Sequence, residues 1–106
     1  MKILLTGGLG YIGTSLINRL SKHELIVCSK SKKRDLQNYN NVIFEFVDIT
    51  SDDFLQIVKK HKPDLVIHLA SITGLKNCEN NPIKAFQTNV HGTFNVIKIA
   101  NKISVK

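Results

Sequence analysis

The chain reads as an α/β domain on a parallel sheet, and three observations predict it. Short apolar runs alternate with segments of helical period, the pattern of strands joined by crossover helices. A glycine-rich turn, Thr6-Gly7-Gly8-Leu9-Gly10-Tyr11-Ile12-Gly13, separates the first apolar run from the first helical segment. Finally, Asp64-Leu65-Val66-Ile67-His68-Leu69 is a near-continuous apolar run, as a strand covered on both faces requires.

In chain order, the strands fall at 2–6, 25–29, 42–47 and 64–69. Ile12, Leu16, Ile17 and Leu20 recur at helical spacing, so the first helix runs from Ile12 to Lys22 with one apolar face toward the sheet. Leu25-Ile26-Val27-Cys28 is the second strand, and a polar stretch follows from Ser29 to Asn41, with one helical turn around Asp35 to Gln37. Val42 to Val47 resumes extended structure. Thr50 or Ser51 caps a helix whose Phe54, Leu55, Ile57 and Val58 give it an apolar side, and Pro63 ends it. Asn81 as N-cap and Pro82 at the first helical position open a last, long helix. Its stripe of Phe86, Val90, Thr93, Ile97 and Ala100 predicts a continuous helix to Asn101. The expected strand order is 3-2-1-4, a Rossmann-type parallel sheet with flanking helices that stops before a fifth strand.

The glycine loop carries chemistry because of where it lies. A glycine turn leaving a strand lets backbone approach a pyrophosphate, and the next helix offers unpaired amides and its positive dipole end to that anion. Gly7 permits the tight exit from the strand, Gly10 carries no side chain to block phosphates, and Gly13 lets the helix pack closely on the sheet. The bland alternative is a turn that merely needs glycines.

Composition bounds the rest. The 106 residues make one domain, 1–106, with 42% hydrophobic and 22% charged residues, ordinary for a globular chain. No apolar run approaches the roughly 20 residues of a membrane span, and the opening Met1 to Thr6 is too short for a signal peptide, so a cytoplasmic protein is expected. Cys28 and Cys78 have no metal-ligand spacing to each other or to any histidine. The net charge of +7 admits either a nucleic acid or an anionic ligand. Lys30, Lys32, Lys33 and Arg34 cluster after the second strand, but no recognition helix or aromatic stacking pattern stands beside them, which argues against nucleic acid.

With Thr6 before it and Tyr11-Ile12 inside, the glycine segment resembles the T-G-G-x-G-Y-I-G fingerprint of the extended short-chain dehydrogenase/reductases, the family of the nucleotide-sugar epimerases and dehydratases. Asp48-Ile49-Thr50 is similar to that family's D-[IVL]-[TR] element, whose aspartate accepts a hydrogen bond from the adenine amino group; a turn former is the other reading of Asp48. His68-Leu69-Ala70-Ser71 resembles the strand end over which the dinucleotide crosses the sheet, with Leu69, Ala70 and Ser71 as its contacts and His68 as a structural residue. Asn81-Pro82 followed by Asn89-Val90-His91-Gly92-Thr93 resembles the N-P…N-V-x-G-T helix; Asn89 either orders water and backbone near the nicotinamide or bonds only to backbone.

The resemblance implies a dinucleotide bound by Gly7, Gly10, Tyr11, Ile12, Gly13, Ser29, Lys30, Asp48, Ile49, Leu69, Ala70, Ser71 and Asn89. At the end of the second strand NAD binders carry a carboxylate, whereas this chain has Ser29 and Lys30, which favours NADP over NAD. A solvated charge run is the bland reading there.

The family's Ser/Thr and Tyr-x-x-x-Lys acid-base residues have no match: Tyr11 is followed four residues on by Ser15, and Tyr39 by Ile43. The expectation is therefore an amino-terminal cofactor-binding segment without catalytic residues or a carboxyl-terminal substrate domain, able to act on a nucleotide sugar only with that domain supplied. The fourth strand is then an exposed apolar edge through which copies could self-associate. A degenerate interaction module and a nonfunctional truncated product remain the alternatives.

Overall fold

The computed structural model describes residues 1–32 and 39–106. Strand β1 (Lys2–Thr6) leads through the glycine loop to helix α1 (Tyr11–Arg19), followed by β2 (Glu24–Ser29), β3 (Val42–Phe46), α2 (Asp53–His61) and β4 (Leu65–His68). The chain then forms α3 (Leu75–Asn80), α4 (Pro82–Phe86), a π-helical segment Gln87–Gly92, and α5 (Thr93–Lys102). The sheet has the order β3-β2-β1-β4 and every pairing is parallel, with Leu4 opposite both Ile26 and Val66, and Ile26 opposite Ile43.

Alternation along the central strands builds two cores, because successive strand residues point to opposite faces. Ile3, Leu5, Leu25 and Val27 are buried with Leu9 and Ile17 on the α1 face. Leu4, Ile26 and Cys28 are buried with Phe54 and Val58 of α2 and Val96 and Ile99 of α5 on the other. Each such side chain contributes about 1.5–3 kcal/mol on burial, so these layers hold the carboxyl ends of the strands at fixed height.

Several boundaries differ from the sequence expectation. Helix α1 ends at Arg19 rather than Lys22. Helix α2 starts after Asp52 with no side-chain cap, and the hydroxyls of Thr50 and Ser51 donate instead to Asp48, at 2.7 Å to Oδ1 and 2.8 Å to its carbonyl oxygen. Helix α3 was not expected: it buries no residue, so it leaves no apolar period to read. Asn81 does cap α4, accepting from the Lys84 amide at 3.2 Å, with Pro82 in its first turn. The helix it opens passes through the π-helical turn before α5.

The inward stripe of this helix is also corrected. Phe86, Val90 and Ile97 are 54%, 49% and 53% exposed, while Ala85, Gly92, Val96 and Ile99 are buried. Small residues chose the face: a Cβ on Gly92 would lie 2.6 Å from Ile49 Cδ1, so only that side approaches closely enough.

The helical turn expected around Asp35 to Gln37 lies outside the described residues. On the outer edge of β4, the Val66 amide donates to the Lys106 carbonyl at 2.6 Å. No helix among the described residues is long and apolar enough to cross a membrane.

Candidate functional site

The site is built at the carboxyl ends of the strands, around the loop that leaves β1. Gly7 has φ 67°, and a Cβ there would sit 2.6 Å from the Ala70 nitrogen, so both the left-handed backbone and the approach of the β4 end demand glycine. The Gly7 amide donates to the Cys28 carbonyl at 2.9 Å, which fixes the loop to the end of β2. A Cβ on Gly13 would fall 2.5 Å from Gly8 Cα and its carbonyl oxygen. Gly13 therefore seats α1 on the glycine loop itself, and not directly on the sheet as the sequence suggested.

Gly10 is the N-cap of α1, with no capping side chain and no acidic residue in the first turn. A helix begins with amides that lack intrahelical partners, and its dipole is positive there. Gly10 is exposed, and a Cβ would meet only the Gly7 carbonyl oxygen, at 3.2 Å.

Around this helix start run two lobes of one cleft. The first, about 340 Å³, is lined by Gly7, Gly10, Ser29, Lys30, Asp48, Ile49, Leu69, Ala70 and Ser71, among others. The second, about 480 Å³, shares Gly7, Gly10, Leu69, Ala70 and Ser71 and adds Tyr11, Ile12, Gly13 and Asn89. Each position expected at the site thus lies on one wall or the other. Lys84 and Thr88 line the first lobe and Thr73 and Thr93 the second, and none of them was among the expected cofactor-binding residues. Helical spacing was the available signal, since Lys84 and Thr88 are four apart on the segment that carries Asn89.

The electrostatics of the first lobe centre on Asp48. Its Oδ1 accepts from the Thr50 amide at 2.9 Å and the Thr50 hydroxyl at 2.7 Å, and its Oδ2 pairs with Lys30 Nζ at 3.1 Å. Burial works to raise this carboxyl, but the Thr50 bonds and Lys30 outweigh it and hold it below its ordinary value. The Ser29 hydroxyl donates to the Ser31 carbonyl at 3.2 Å. Of the basic cluster, Lys32 Nζ lies 5.3 Å from the centre of the Phe46 ring, and Lys33 and Arg34 fall outside the described residues.

A polar chain ties the second lobe together. His68 Nδ1 is 2.6 Å from Thr6 Oγ1, and Nε2 is 3.0 Å from Thr93 Oγ1. The Thr93 hydroxyl gives its proton to the Asn89 carbonyl at 2.7 Å, so it accepts from Nε2–H, and Nδ1 accepts from Thr6. His68 is therefore the neutral Nε2–H tautomer, and burial lowers its pKa. With both nitrogens engaged it is a structural strut between β1, β4 and α5.

Asn89 is likewise occupied. Its Oδ1 accepts from the Ile72 amide at 2.8 Å and its Nδ2 donates to the Ile72 carbonyl at 2.9 Å. These backbone bonds are common to both sequence readings, and through them Asn89 holds the loop after β4 in the cleft wall.

Comparison with known proteins agrees with this architecture. The family model described as the NAD dependent epimerase/dehydratase family matches residues 3–106. The chain is 36% identical over 99 residues to a GDP-6-deoxy-D-talose 4-dehydrogenase of Aggregatibacter actinomycetemcomitans, covering 92% of this chain and 30% of that protein. The L-threonine dehydrogenase structure of Clostridium difficile superposes with a TM-score of 0.87 at 34% identity, covering 99% of this chain and 34% of that one. The Bordetella bronchiseptica enzyme WbmG in complex with NAD superposes with a TM-score of 0.88 at 30% identity, covering 100% and 35%. The chain thus spans about a third of the length of the relatives it matches. The match over essentially the whole chain, on a parallel sheet whose glycine loop opens an uncapped helix, places it in the NAD dependent epimerase/dehydratase family.

Proposed function

We propose that this chain is the dinucleotide-binding segment of an enzyme that epimerises or dehydrates a nucleotide sugar through a transient hydride transfer. One observation carries the reading: α1 begins at an exposed Gly10 with neither a capping side chain nor an acid, facing a cleft that runs along the strand ends. Such a helix start satisfies its amides with an anion, and the glycine loop is shaped for a pyrophosphate.

The residues fit the group. Gly7 and Gly10 would bring backbone to the phosphates, Ser29 and Lys30 would take the adenosine ribose, Asp48 and Ile49 the adenine, and Leu69, Ala70 and Ser71 the crossing of the strand ends. Tyr11, Ile12 and Gly13 would serve the nicotinamide half, whose wall Asn89 shapes through Ile72. The bound nicotinamide would supply the hydride acceptor, while this chain's part is to bind and orient it. Acid-base chemistry on a sugar is not assigned to these residues, which hold no Tyr-x-x-x-Lys pair.

The absence of a carboxylate at Ser29 supports NADP over NAD, since a hydroxyl and a cation suit a further phosphate. Calorimetric titration of the chain with NADPH and separately NADH tests both levels. Saturable binding of either supports the segment's role, tighter NADPH binding supports the preference, and a folded chain that binds neither contradicts the proposal.

A further inference from the structure

Among the described residues, the charge lining the cleft does not balance, and the excess lies on one of them. Lys30, Asp48 and Lys84 line the first lobe, and Lys30 is paired with Asp48 at 3.1 Å. Among the described residues, no carboxylate, lysine or arginine lines the second lobe. Lys2, Lys30 and Lys60 each pair with a carboxylate, whereas Lys84 pairs with none among the described residues. Among the described residues, the unpaired positive charge on the cleft wall is therefore that of Lys84.

Its backbone is well anchored. The Lys84 amide is fixed on the Asn81 cap, the neighbouring Ala85 is buried, and one turn further on Asn89 is locked to Ile72. Helix α1 packs on the face of Ile3 and Leu5, while α5, into which the Lys84 segment runs, packs on the face of Leu4 and Ile26. Gly10 at the start of α1 and Lys84 thus line the same strand-end lobe, on elements that pack against opposite faces of the sheet.

We propose that Lys84 is the cationic contact for the pyrophosphate of the bound dinucleotide, opposite the amides of α1. This role rests on the dinucleotide-binding reading above and adds a residue to it. A point charge on a flexible stem suits a phosphate pair that offers several oxygens, and the ammonium remains hydrated until the anion arrives. Lys30, paired with Asp48 at the end of β2, is assigned to the ribose side of the ligand instead.

The test is calorimetric titration of Lys84→Met, Lys84→Arg and Lys98→Met with NADH, ADP and adenosine, beside Gly10→Glu. Lys84→Met should weaken NADH and ADP roughly tenfold, as loss of a charge-assisted bond does, and leave adenosine unchanged. Lys84→Arg should restore most of the loss, and Lys98→Met, with the same change in net charge, should match wild type. Wild-type affinity for ADP in Lys84→Met, alongside its loss in Gly10→Glu, would overturn the role of Lys84 while leaving the site intact. An equal loss for adenosine would overturn the assignment to pyrophosphate. A wild-type chain that binds neither NADH nor ADP would overturn the dinucleotide reading and this role with it.

Discussion

Asn89 and Ile72 exchange two hydrogen bonds, amide nitrogen to Oδ1 at 2.8 Å and Nδ2 to carbonyl at 2.9 Å, so a side chain of the π-helical turn completes the backbone of the loop after β4. The pair is partly buried, and Asn89→Leu would leave both Ile72 groups unsatisfied. A loss of about 1–3 kcal/mol follows. Urea denaturation should show a lower midpoint with an unchanged slope, and an unchanged midpoint would contradict the structural role.

The glycines of the first loop should separate by geometry. Gly13→Ala must push a Cβ against the Gly8 backbone at 2.5 Å, and Gly7→Ala combines a 2.6 Å approach to Ala70 with φ 67°. Both should destabilise by about 1–3 kcal/mol or more. Gly10→Ala meets only one carbonyl oxygen at 3.2 Å and should fold nearly as wild type. Thermal melts of the three variants give the order directly.

Acid should weaken the fold in two stages. Burial lowers the His68 pKa below its ordinary 6.5, so the unfolded chain takes up the proton more readily and stability falls as pH drops from 6.5 through the folded value. The hydrogen bond from Lys60 and then that from His61 lower Glu45 below 4.5, and its contribution, full above that value, is lost as pH falls through the lowered one. Denaturation midpoints across pH should flatten near neutrality in His68→Gln and at low pH in Glu45→Gln. Unaltered profiles would contradict these assignments.

The two thiols should differ in reactivity. Burial, with Glu45 adding to it, pushes the Cys28 thiol up to about 12, so its thiolate is scarce at neutral pH. Cys78 is only half-buried, with Sγ 3.6 Å from the Ile72 carbonyl. A disulfide reagent should modify Cys78 in the native protein and Cys28 only on unfolding. Equal rates for the two would contradict the burial of Cys28.

Much of this arrangement is legible in the sequence wherever a residue's type limits where it can go. Leu25 to Cys28 is apolar on both sides and is a fully covered central strand, Leu65 to His68 reads the same way but lies half-buried at the sheet edge, and Gly7 before an amphipathic segment marks the loop. What the sequence conceals is choice among equals. The helix ending at Lys102 offers two apolar stripes, and the bulkier one, with Phe86 and Ile97, stays outside because Gly92 fits against Ile49. Lys84 is one lysine among many until the fold sets it in the cleft wall. The pairing of Lys30 with Asp48 joins the ends of two strands, and no local pattern announces it.

The central claim is that the start of α1 binds the pyrophosphate of a dinucleotide, and Gly10→Glu tests it most directly. The site is exposed and meets little protein, so a glutamate there should leave the fold intact while placing a carboxylate where the anion must sit. Calorimetry beside a matched denaturation curve should show that wild type binds NADPH or NADH, and that the variant, equally stable, binds neither. Wild-type affinity in a folded Gly10→Glu would contradict the account, because the ligand would then be held somewhere other than this helix start.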